Sequence, residues 1–179
     1  SSIEGFVYVG MNAFQQACVA FTSQNLGAKQ YARVPKVLLW NAAFSAIIGL
    51  SLGIIACLFG APLLGLYVPV DDPNRAAVIA DGLVRLIWVA FPCFLCGIMD
   101  VCCGVLRGLG KNWLPLIVSL LGGCGLRILW VKTAFAAAPS LQRLYLCYPL
   151  SWISVLLIYL CMLISALYKL NKQKALAKE

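Results

Sequence analysis

The sequence contains no histidine, only 6 acidic residues, and 11% charged residues in a length of 179. An ordinary soluble domain has about 25% charged residues, so this shortage of charge argues against one. Without histidine, the usual serine and cysteine catalytic groups cannot be assembled with a base. The sequence also lacks a glycine-rich phosphate-binding loop. It therefore predicts a protein that is neither an ATPase nor an enzyme of the common hydrolytic classes, with no catalytic residue.

Hydrophobic residues are abundant instead, at 63% of the chain, and the mean hydropathy is +0.92. These values exclude a disordered tail and a nucleic-acid-binding module, so no nucleic-acid partner is expected. A membrane-spanning helix needs about 20 apolar residues. The length therefore allows about five or six spans of a polytopic membrane protein, whose first partner is the lipid bilayer.

The 9 cysteines lie within or beside apolar stretches, where cysteine is usually a small buried apolar residue. Because histidine is absent and no paired zinc motif is present, we predict no metal site. Cys93 and Cys96 do form a CxxC after Pro92. A membrane thiol oxidoreductase is the enzymatic alternative, but the external loops contain no cysteine with which it could exchange electrons.

Five apolar segments predict an all-α membrane protein, because a helix satisfies its own backbone hydrogen bonds in lipid. We name them A to E, and they cover about 5–24, 37–59, 78–106, 114–138 and 144–168. They form one transmembrane domain over 1–168, followed by a basic tail at 169–179. Pro92 lies inside segment C, where it is expected to kink the helix.

The basic residues predict the orientation of these segments. Three lie in the A–B loop, two in the C–D loop and four in the tail, which makes nine, against three in the other two loops. Lys and Arg accumulate in cytoplasmic loops of membrane proteins. We therefore expect a multi-pass protein of the cell membrane with a cytoplasmic C-terminus. Segment A would then enter from outside, and with no Met or signal peptide before it, the chain is expected to be a fragment.

Asp100 lies inside segment C, about 9 Å from the predicted cytoplasmic edge. A carboxylate within the hydrocarbon costs about 3 kcal/mol, so it must face neighbouring helices or a wet cavity. It belongs to a stripe of small and polar residues that recur at helical spacing, namely Cys93, Gly97, Asp100, Gly104 and Arg107. Asp100 is therefore either a hydrogen-bonding residue between helices or a proton or cation site.

Segment A carries three amides, Asn12, Gln15 and Gln16, at depths of about 12 to 18 Å. Their spacing of three and four predicts a cluster on one side of a helix, near the depth at which transporters bind substrates. The alternative is amide hydrogen bonding between helices. Arg127 in segment D lies about 10 Å from the outer edge, where it can be a structural charge or part of a pathway.

A second stripe of small residues runs along segment B and predicts close helix packing. It consists of Ala42, Ala46, Gly49, Gly53, Ala56 and Gly60.

Two turns on the predicted cytoplasmic side carry the most specific motifs. The first reads SQNLGAK from residue 23, and the second reads GVLRGLGK from residue 104. Together they resemble the multidrug and toxic compound extrusion (MATE) family, in the second half of such a transporter. The residues that carry the likeness are Gln24, Asn25, Gly27, Ala28, Arg107, Gly108 and Gly110. Segments A to E would correspond to helices eight to twelve.

The resemblance implies most of the C-terminal six-helix lobe of a twelve-helix transporter, with the first lobe of the same chain missing. It implies export of a small cationic or amphipathic substrate in exchange for Na⁺ or H⁺, with no other cofactor. Asp100 would lie in helix ten, near an acidic position of the family. A lipid-linked saccharide flippase of the same superfamily and a non-transporting membrane scaffold are the alternatives.

Overall fold

The computed structural model describes residues 2–136 and 140–176, and every regular element in these ranges is helical. This confirms the predicted all-α membrane fold. The predicted end of segment D at 138 lies outside the described residues, as do the last three residues of the predicted tail.

Eight α-helices follow one another along the described chain. They are α1 Ser2–Gly27, α2 Val34–Leu58, α3 Gly60–Tyr67, α4 Arg75–Arg85, α5 Cys93–Gly108, α6 Trp113–Ser119, α7 Leu126–Trp130 and α8 Leu141–Leu176. A 3₁₀ turn at Tyr31–Arg33 precedes α2. Two π-helical segments lie between consecutive helices, at Leu86–Ala90 and Leu120–Gly125, and a third, Val131–Phe135, directly follows α7.

Four stretches are long and apolar enough to cross a membrane, judged by length and composition. They are Tyr31–Leu58, Arg75–Gly108, Trp113–Phe135 and Leu141–Leu170, and they overlap segments B to E. Helix α1 has 26 residues, or about 39 Å, but is not among the four. Its three amides lower its mean hydropathy. In the structure, α1 packs against α2 and α5.

Two details at the ends of the predicted spans differ from the sequence-based boundaries. Segment B was expected to run to residue 59, whereas α2 ends at Leu58 and a separate short helix, α3, follows. The tail was expected to begin at 169, but α8 continues without a break to Leu176. The basic residues do not stop this helix, because lysine has a good helix propensity.

The expected interruption of segment C occurs at Pro92. The amide of Phe91 donates to the carbonyl of Leu86, five residues earlier, at 3.0 Å. A turn at Phe91–Pro92 then separates this π-helical segment from α5, which begins at Cys93. Proline cannot donate a backbone hydrogen bond, and its ring clashes with the preceding turn, so the regular helix ends here.

Helix α5 is the most buried helix, because α1, α2 and α8 all pack against it. Glycines permit the close approach. A Cβ placed on Gly104 would lie 2.6 Å from the carbonyl oxygen of Gln15 in α1. A Cβ on Gly49 of α2 would lie 3.0 Å from the Cα of Phe94. Both predicted small-residue stripes therefore face other helices at these positions, as membrane helix packing requires.

The two motif turns share one backbone conformation. In the first, the amide of Gln30 donates to Asn25 at 2.8 Å and that of Lys29 donates to Leu26 at 3.0 Å. In the second, Lys111 donates to Leu106 at 3.0 Å and Gly110 to Arg107 at 2.9 Å. Both patterns are Schellman motifs. The left-handed residue is Gly110 in the second turn, with φ of 81°, but Lys29 in the first, with φ of 56°.

Replacement of Gly104 by Ala should destabilise the protein by about 2 kcal/mol, because the new methyl group would collide with the α1 backbone. Thermal unfolding of the purified protein in detergent measures the effect. Gly125→Ala is the matched control, since a Cβ there meets no atom within 4 Å. Equal stability of the two variants would contradict the packing described here.

The left-handed position favours glycine in both turns, so removing a glycine from one and adding a glycine to the other should have opposite effects. Gly110→Ala should destabilise the protein by about 1 kcal/mol, because alanine is strained in the left-handed conformation. Lys29→Gly should stabilise it by a comparable or smaller amount, because glycine removes that strain. The same unfolding measurement compares both variants with the parent protein, and shifts of the same sign would contradict the prediction.

Candidate functional site

A cavity of about 380 Å³ lies between α1, α5 and the beginning of α6. Side chains of mixed character line it, namely Tyr8, Gln15, Asp100, Cys103, Arg107, Asn112, Trp113, Pro115, Leu116 and Ser119. The cavity extends from Asp100 to Arg107, two helical turns further along α5. Arg107 is exposed and lies at an open end of the cavity, whereas Asp100, at the other end, is buried beside the partly exposed Tyr8.

Asp100 is the charged residue buried at this site, with 7% of its surface exposed. The Tyr8 hydroxyl lies close enough to donate a hydrogen bond to the carboxylate. The carboxylate oxygen Oδ2 is buried and has no hydrogen-bond partner among the described residues. An unpaired buried carboxylate oxygen is costly, so this atom is suited to accept a proton or contact a cation that enters the cavity.

The structure separates the three amides of α1. Gln15 lines the cavity with Asp100, whereas Asn12 does not, although its buried Oδ1 has no partner in the described part of the chain. Gln16 is exposed. Of the three predicted amides, Gln15 is therefore the one that lines this cavity, and a shared role for Asn12 and Gln16 stays a prediction. Met11 and Cys18 are fully buried on the face of α1 that meets α5. Gln16 directly follows Gln15 in the helix, so its side chain points about 100° away from that of Gln15.

A hydrogen-bonded group on α6 and α8 adjoins the cavity. The Tyr159 hydroxyl donates to the carbonyl oxygen of Pro115 at 2.8 Å and lies 2.7 Å from the Ser119 hydroxyl. Tyr159 is fully buried, and Cys103 lies beside it. Sequence reasoning did not identify these residues, because the contact joins positions 40 and 44 apart. Tyr8 could have been found, since it lies seven residues, or two turns, from Gln15.

Arg127 does not line the cavity and makes its contacts with α8. Its Nε donates to the Ser151 hydroxyl at 3.0 Å, and its guanidinium lies 4.3 Å from the ring centre of Tyr148. Trp152 lies at 5.9 Å on the same side. Within the described ranges, Arg127 and Asp100 form no ion pair. These contacts favour a structural role for Arg127 over a place in a transport pathway.

No disulfide joins cysteines of the described chain, and no group of three potential ligands could hold a metal ion there. Cys93 and Cys96 are buried beside Met11 and Trp152, away from solvent. This placement fits cysteine as a packing residue.

The motif turns lie at the open end of the cavity and do not reach Asp100. Gly108 is buried against Thr22, so the ends of α1 and α5 are in contact. Three members of the first turn, Gln24, Gly27 and Ala28, are exposed. The Asn25 side chain donates to the carbonyl oxygen of Phe21, one turn earlier in α1, at 2.7 Å.

Tyr159→Phe should destabilise the protein by about 1 kcal/mol, since it removes buried hydrogen bonds at a position otherwise fully packed. Tyr168→Phe is the matched control, because Tyr168 is 73% exposed. Thermal unfolding in detergent reports both changes. If the Tyr168 variant loses as much stability as the Tyr159 variant, the buried hydrogen bonds do not carry the effect.

Comparison with known proteins identifies the fold family. The family model MatE matches residues 1–130, which extend from the first residue to the end of α7. Comparison with curated proteins and with solved structures gives no significant match. The family match covers well over half of the chain and includes α1, α5, both motif turns and the cavity between them. The chain therefore belongs to the MATE family of multi-pass membrane transporters.

Proposed function

We propose that this chain is part of a secondary active antiporter that exports cationic or amphipathic compounds in exchange for Na⁺ or H⁺. The observation that carries the proposal is the buried carboxylate of Asp100, which lines a cavity of about 380 Å³ and whose Oδ2 has no hydrogen-bond partner in the described ranges. A buried acid of this kind can bind a proton or a cation in one conformation and release it in another. The first lobe, which the family resemblance implies, would supply the other wall of the pathway.

The lining of the cavity favours an organic cation as the substrate. Tyr8 and Trp113 contribute aromatic rings to the lining of the same cavity as Asp100. Aromatic faces attract cations, and a carboxylate supplies the counter-charge. Gln15 adds a hydrogen-bonding amide. The same lining is a poor match for the flippase alternative, because anionic pyrophosphate headgroups would favour several basic residues and the described lining contains one, Arg107.

We place the open end of the cavity and the end of α8 on the cytoplasmic side of the cell membrane. A small pocket brings together Leu26, Leu109, Lys111 and Lys169, so the two motif turns and the end of α8 meet. The cations of these segments lie at one end of the helices, while Asp71 and Asp72 lie in the connection between α3 and α4. The positive-inside rule supports this orientation.

Asp100→Asn in the complete gene should abolish gradient-driven efflux of a cationic dye such as ethidium, with at least a tenfold loss of initial rate. The amide keeps the size of the side chain but cannot carry the charge. Fluorescence of dye-loaded cells measures the rate before and after the sodium and proton gradients are collapsed. Asp81→Asn is the matched control, because Asp81 is exposed on α4.

Equal expression of both variants must be verified by immunoblot of membranes. Efflux by the Asp100 variant that is unchanged and still depends on the gradient would remove Asp100 from the coupling role. A gene product that moves no dye but scrambles labelled lipid-linked saccharide would instead support the flippase.

A further inference from the structure

We propose that a groove between the end of α1 and the beginning of α2 binds the headgroup of an anionic phospholipid. The groove has a volume of about 420 Å³ and is separate from the cavity at Asp100, with which it shares no lining residue. Its lining combines two cations, two amides and apolar side chains. The proposal stands independently of the transport reaction.

The two cations are Arg33 and Lys36, and both side chains are exposed. They are three residues apart, so they project to the same side as the 3₁₀ turn leads into α2. Neither forms an ion pair in the described part of the chain, and the acidic residues there lie in other segments. An anionic group from outside the described residues can therefore pair with both cations, and the phosphate group of a lipid supplies such a group.

The two amides, Asn25 and Asn41, add hydrogen-bonding selectivity. Each side-chain amide nitrogen donates to a backbone carbonyl of its own helix, at 2.7 Å for Asn25 and 2.9 Å for Asn41. These bonds hold both side chains in place and leave the amide oxygens to act as acceptors. A headgroup that carries hydroxyl groups beside its phosphate, as phosphatidylglycerol does, matches cations and acceptors together.

The apolar part of the groove continues along α2 in the direction an acyl chain would take. Trp40 is 61% exposed and lies at the groove, and Phe44 stacks on it with 6.0 Å between ring centres. Ile47 continues the exposed stripe one turn further. Tryptophan favours the membrane interface, where headgroup and acyl chain meet. A free anion would use the cations but not this stripe, which is why we assign the groove to a lipid.

The test uses the full-length gene product, purified and delipidated in a neutral detergent. Dioleoyl phosphatidylglycerol is titrated while the thermal midpoint is recorded, with dioleoyl phosphatidylcholine and inorganic phosphate as comparison probes. Phosphatidylglycerol should raise the midpoint, and the other two probes should not. The double variant Arg33→Gln with Lys36→Gln should weaken apparent binding about 30-fold. Each basic residue near an anionic lipid surface contributes about fivefold in affinity, and two such factors multiply.

Lys132→Gln with Arg143→Gln is the matched control, because it removes two exposed cations from other segments. It should bind as the parent protein does. Lys36→Gln alone should weaken binding about fivefold, and it provides the result if the double variant does not fold. The proposal is overturned if phosphatidylcholine or inorganic phosphate stabilises equally, if the groove variants bind unchanged, or if the control pair weakens binding as much.

Discussion

The close approach of α5 to α1 and α2 is the constraint on which the rest of the structure depends. It is possible because glycine stands where the backbones meet, with Gly104 against α1 and Gly49 against α5. Helices in a membrane gain little from hydrophobic burial, so contact between backbones and small side chains supplies the packing energy. With larger residues at these points, α5 would move outward and the residues that enclose Asp100 would separate.

This packing also explains how a carboxylate remains buried. Asp100 occupies the same face of α5 as Gly97 and Gly104, so the residue that is most costly in lipid lies where lipid is excluded. The Tyr8 hydroxyl lies near the carboxylate, and the oxygen Oδ2 has no hydrogen-bond partner among the described residues. The cavity is therefore polar at Asp100, while Pro115 and Leu116 of α6 contribute apolar surface.

Much of the fold followed from local features of the sequence. Long apolar segments predict helices because lipid forbids unpaired backbone groups, and Pro92 predicts an interruption because it lacks an amide hydrogen. The candidate site was predicted only in part. Asp100 stood out by its cost in lipid, whereas Tyr159 and Ser119 make contacts that no local pattern encodes. The spacing of the three amides did not distinguish Gln15, which lines the cavity, from Gln16, which is exposed.

The sequence by itself determined the helical class, the break at Pro92, the glycine-mediated faces and the family likeness of the two turns. Each of these depends on the chemistry of a residue and its near neighbours. Only the tertiary structure decided that Gln15 and not Gln16 reaches the cavity, that Arg127 contacts α8, and that Lys29 adopts the left-handed conformation in the first turn. Such choices depend on the rotation of each helix about its axis, which packing against other helices sets.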